Sequence, residues 1–64
     1  MDFPEYEVTH KRQLFPGGPV STDATQFYAP TTAQGLFARL IADPAVTWAE
    51  LTGPRGTLDT FTRE

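Results

Sequence analysis

His10-Lys11-Arg12 and the single serine, Ser21, are the side chains of this 64-residue chain whose types and positions suggest chemistry. His10 is the only histidine and there is no cysteine, so a metal centre would have to recruit several carboxylates, whose spacing gives no ligand motif. No metal and no cofactor is expected. Ser21, His10 and Asp23 supply the residue types of a nucleophile, a base and an orienting acid. Ser21 lies in a Pro/Gly loop, however, without the strained elbow and oxyanion hole such a nucleophile needs, so no catalytic residue is expected. Pro16-Gly17-Gly18-Pro19 lacks the Lys-Ser/Thr of a phosphate loop and opens no helix, so it reads as a turn. A cationic run near aromatics can track a phosphate backbone. Strand alternation divides this run, with His10 and Arg12 on one face and Lys11 on the other. The preferred reading is a charged edge strand that blocks pairing with another sheet.

Length and charge narrow the classes further. A single domain of this size buries only about 60% of the surface its unfolded chain exposes, which leaves no room for a cleft between domains. Net charge is −3 and the pI about 4.9, a balance that repels a phosphate backbone unless the few cations cluster. The lack of cysteine removes disulfides and thiolate sites, and with no apolar N-terminal run it points to a cytoplasmic protein. No run approaches the roughly 18 apolar residues that span a bilayer.

Five elements position these residues. Thr31 followed by Gln34 forms a capping-box pattern that sets a helix start at Thr31. Ala33, Leu36, Phe37, Leu40 and Ile41 recur on one face of a 3.6-residue period, and Pro44 ends the helix near Ala42. Residues 5–14 alternate as a first strand, and residues 24–29 form a short second one after a loop running to about Asp23. Val46 to Leu51 and Thr57 to Thr62 read as strands three and four. Pro16 and Gly17 suit a type II turn, and Gly53-Pro54-Arg55-Gly56 a type I turn. The predicted fold is α+β: order ββαββ, one helix packed on a four-stranded, mostly antiparallel sheet. The first three or four residues and the last two are expected to fray.

A strand pair, an Ala/Leu-rich helix and Asp-Pro-Ala-Val-Thr-Trp-Ala-Glu-Leu before a Gly-containing hairpin together resemble short uncharacterised proteins of actinobacteria and their phages. The resemblance covers about half the chain. It implies binding to a protein or nucleic acid rather than catalysis, and a phage-encoded modulator of a host protein is one form this would take. It carries no residue of known role.

The surplus of apolar side chains is the main pointer to a site. Simple alternation puts Thr47, Ala49, Leu51 and Leu58 on one face of strands three and four, and Val46, Trp48 and Phe61 on the other. One helix covers only one face, so at least one of Trp48, Phe61, Tyr28 and Phe15 is expected on the uncovered side, as an anchor for a partner. The outward helix face carries Gly35, Ala38 and Ala42 with Arg39 as its one charge, and small residues allow close approach. The expected function is therefore a non-enzymatic protein-interaction module. It would bind a protein partner or a second copy through Trp48, Phe61, Tyr28, Arg39 and Gly35, or through a strand edge. The alternatives are a nucleic-acid binder using sheet aromatics with His10, Lys11, Arg12, Arg39 and Arg55, and a small structural or assembly component.

Overall fold

The computed structural model describes residues 3–63 and has the order β1 (Tyr6–Gln13), β2 (Val20–Phe27), α1 (Pro30–Ala42), β3 (Val46–Gly53), β4 (Gly56–Thr62). This is the expected ββαββ arrangement, with one helix on a four-stranded antiparallel sheet of strand order β2-β1-β3-β4. The expected fraying of Met1, Asp2 and Glu64 lies outside the described residues.

The strand order corrects the reading of His10-Lys11-Arg12 as an edge. β1 is paired on both sides, with β2 and with β3. Its charges are accommodated because each meets a partner. Arg12 Nη2 reaches the Asp43 carboxylate at 3.0 Å, and Lys11 Nζ lies 5.4 Å from the Trp48 ring centroid. His10 Nε2 faces the Asp23 carboxylate at 4.0 Å. The true edges are β2 and β4.

β2 begins directly after Pro19, earlier than the expected Ala24, and ends before Tyr28. Both its faces are exposed except at Phe27, so no hydrophobic alternation marked it. The turn before it forms as expected: Gly18 N–H donates to the Phe15 carbonyl at 3.0 Å, and Gly17 takes φ +77°, as a type II turn requires. In the second hairpin Gly56 has φ +116°, a value that residues bearing a Cβ rarely adopt.

The helix begins at Pro30 and not after a Thr31 cap. Ala29 is the N-cap, in an extended conformation and without a side-chain cap bond, and Pro30 opens the first turn with its preset φ. Thr32 Oγ1 donates to the Ala29 carbonyl at 2.9 Å. The helix ends at Ala42, as Pro44 dictates. There the Asp43 carboxylate accepts the Ala45 N–H at 2.9 Å, forming a local turn into β3. The Arg63 N–H donates to the Thr47 carbonyl at 2.9 Å, continuing the β4–β3 ladder.

The core lies between α1 and the inner strands. Val8, Ala33, Phe37, Leu40, Val46, Ala49 and Leu51 are buried, with Tyr6, Phe27, Leu36, Ile41 and Phe61 packed around them. Two register shifts, at Lys11/Arg12 and at Leu51/Thr52, re-sort the faces predicted by simple alternation. Val46 joins Ala49 and Leu51 under the helix. Phe61 pairs with Ala49 and shares that covered face, whereas Trp48, opposite Lys11 and Thr62, lies on the other.

Candidate functional site

The face of the sheet away from α1 is built from three cross-strand rows. Lys11, Trp48 and Thr62 form one; Thr9, Glu50 and Thr60 the next; Glu7, Thr52 and Thr57 the third. Alternation fixes these residues outward because Val8, Ala49 and Leu51 between them point into the core. The rows are held by Thr57 Oγ1 donating to Glu50 Oε2 at 3.3 Å and Thr52 Oγ1 to the Glu7 carbonyl at 3.3 Å. The result is a threonine-rich surface with a single aromatic, Trp48, half-buried beneath an ammonium. Threonine hydroxyls both donate and accept, so such a surface can meet polar and apolar groups alike.

On the helix side, α1 lies over β1 and β3 and leaves β4 beside it. An open groove of about 380 Å³ runs between them, lined by Phe37, Ala38, Ile41, Leu51, Leu58 and Asp59, with Gln34 at its rim. β4 itself is exposed except at Phe61.

The structure does not gather the residues expected to form one contact patch. Trp48 is on the open face and Phe61 on the covered one, packed against the core beneath the Arg63 guanidinium, 4.9 Å from its ring centroid. Their placement on a common uncovered face is therefore corrected, because the β3–β4 register pairs Phe61 with Ala49. Tyr28 follows β2 in the connection to α1 and is 69% exposed, whereas Gly35 and Arg39 are exposed on α1.

Ser21, Asp23 and His10 do fall on one face of the β1–β2 hairpin, since Asp23 pairs with His10 and Ser21 with Arg12. Among the described residues no hydrogen bond joins Ser21 to His10, and His10 Nδ1 is buried without a partner. Ser21 lies within the regular strand β2. Among the described residues no group of three or more His, Asp or Glu side chains converges as a metal site would require. Among the described residues no helix is long and apolar enough to cross a membrane.

Sequence reasoning missed the junction where the helix C-terminus, β1, β3 and β4 meet. Asp43 binds Arg12, and Arg63 donates to the carbonyls of Ile41, Asp43 and Val46 at 2.8, 3.2 and 3.0 Å. The available signal was the Asp43-Pro44 pair, a carboxylate fixed at a helix stop, where cations are attracted to unpaired carbonyls. Comparison with protein-family models, curated proteins and solved structures gives no match.

Proposed function

We propose that the chain is a non-enzymatic protein-interaction module that docks a partner protein on the open sheet face around Trp48. The observation that carries this reading is the asymmetry of the two faces. α1 packs on one, and a threonine-rich field with Trp48 in its end row is left on the other. Tryptophan is enriched among the residues that dominate binding energy at interfaces, and threonines around it supply a satisfiable polar rim.

The spread of cations favours a protein over a nucleic acid as partner. Lys11 lies on the open face, Arg12 and Arg63 are committed at the helix end, Arg39 is on the helix and Arg55 in the β3–β4 turn. They form no stripe that a phosphate backbone could follow.

The test is capture from the native host lysate by the wild-type chain and by two surface variants, Thr9→Arg on the open face and Arg39→Glu on the helix. The expected result is one specific protein held by wild type and Arg39→Glu and lost by Thr9→Arg, with Trp48 emission shifting when that protein is added back. Equal capture by wild type and both variants, or a Trp48 signal that ignores the captured protein, would sink the reading.

A further inference from the structure

We infer that the free edge of β4 is a self-pairing interface, joining a second copy of this chain through Asp59-Thr60-Phe61-Thr62-Arg63. This goes beyond the partner reading above, because it uses a strand edge rather than the Trp48 face.

The backbone orientation follows from two bonds. Arg63 N–H donates to the Thr47 carbonyl at 2.9 Å, so Arg63, Phe61 and Asp59 direct their main-chain groups toward β3. Thr60 and Thr62 therefore direct theirs outward. The Thr60 N–H agrees, since it donates to Asp59 Oδ1 at 2.9 Å and not to a neighbouring strand. The edge thus offers the N–H and C=O groups of Thr60 and Thr62 to an added strand.

The side chains select which strand that is. Asp59, Phe61 and Arg63 share the covered face, and Thr60 and Thr62 the open one. An antiparallel pair about a two-fold axis at Phe61 sets Phe61 against Phe61 of the second copy and Thr60 against its Thr62. It also sets Asp59 against Arg63 of the second copy, in both directions. The segment is its own charge complement when reversed, and opposed side chains in such a pair approach within about 4.5–5.5 Å at Cβ. Arg63 engages the helix end through Nε and Nη2, so among the described contacts Nη1 is left for a carboxylate. On pairing, the Thr60 N–H passes from Asp59 to the carbonyl of Thr62 in the second copy, and the released carboxylate turns to the opposing guanidinium.

The other edge has no such property. β2 shows Ser21, Asp23, Thr25 and Phe27 on the covered face, and no register sets Asp23 against a cation of β2. Pairing through β4 also makes the two grooves beside α1 continuous across the joined strands, in one eight-stranded sheet (order β2-β1-β3-β4, then its mirror order).

Sedimentation velocity from micromolar to near-millimolar chain is the test, with fold checked by circular dichroism. Wild type is expected to pass from monomer to dimer. Asp59→Arg, which opposes two like charges at each end, is expected to weaken association at least tenfold, and Asp59→Ala to weaken it less. Phe61→Cys, in a chain without native cysteine, is expected to oxidise to a disulfide dimer far faster than Ala24→Cys on β2. Three results would overturn the inference: a strict monomer at all concentrations, tighter association of Asp59→Ala, or equal cross-linking at the two cysteine positions. The second would make Asp59 a guard over the Thr60 N–H. A monomer that still captures its partner through the Thr9 face would remove this inference alone.

Discussion

Arg63 and Ile41, 22 residues apart, are joined by a 2.8 Å hydrogen bond from Nη2 to the last-turn carbonyl of α1. The same guanidinium serves Asp43 and Val46, so one side chain closes the helix C-terminus and ties β4 to the opposite layer. Cations at this end are also favoured by the helix dipole. Arg63→Ala is therefore expected to lower stability by about 1–2 kcal/mol, with Arg63→Lys recovering only part because an ammonium cannot span the same carbonyls. Urea unfolding of the three proteins checks this; an unchanged midpoint in Arg63→Ala would show the bonds to contribute nothing in solution.

Gly35 lies in the middle of α1, and a Cβ built there meets nothing within 4 Å. Gly35→Ala should raise stability by up to about 1 kcal/mol through backbone entropy alone. The readout is the thermal midpoint. A fall would mean that the helix surface at Gly35 is not open, and a gain accompanied by lost partner capture would place the partner on this strip.

Gly56 makes the opposite prediction. With φ at +116° and open space around it, the cost of a side chain is conformational and not steric. Gly56→Ala should cost about 1–3 kcal/mol, whereas Gly35→Ala gains. Measured in one host background, the two substitutions should differ in sign, and agreement in sign would contradict the backbone geometry at one of them.

Phe37 is 5% exposed and packs at the centre of the small core. Phe37→Ala should cost about 3–5 kcal/mol, comparable with the whole stability of many domains of this size. Loss of the cooperative unfolding transition is the expected observation. A variant that still melts sharply near the wild-type temperature would show that the helix is not the main cover of the sheet.

Trp48 is the only tryptophan, so its fluorescence reports the open face without ambiguity. Lys11 above the ring should draw anionic quencher and repel cationic quencher, making iodide more effective than caesium. Lys11→Met should remove that difference while leaving acrylamide quenching in place. A Trp48 silent to all three quenchers would place it in a closed environment.

Much of the fold was legible because periodicity and punctuation agreed: the α1 stripe with Pro44 beyond it, the alternation of β1, and the glycines of both turns. β2 was half-missed because an edge strand exposed on both faces has no alternating burial to record. β1 was mistaken for an edge because Lys11 and Arg12 look unburiable. Lys11 is tolerated in an inner strand whose far face is uncovered, and Arg12 at a strand end that reaches Asp43. The candidate site was read only in part. Trp48 is one of the four aromatics of which at least one was expected uncovered, and it lies on the open face, whereas Phe61, read as sharing its face, lies on the other because register and bulges are set by pairing across the chain. Arg63 gave no local sign, since its partners are brought to it by the fold.

The sheet is two local hairpins stitched along the β1–β3 seam, where Lys11 meets Thr47 and Glu7 meets Thr52 across 36 and 45 residues of chain. Each hairpin can close within microseconds, but the seam must wait until the intervening helix has brought its ends together. Folding speed should therefore be governed by α1 and the seam, not by either turn. Substitutions at Leu40 or Val46 should slow folding, whereas changes in the β3–β4 turn should act mainly on the rate at which the native chain comes apart.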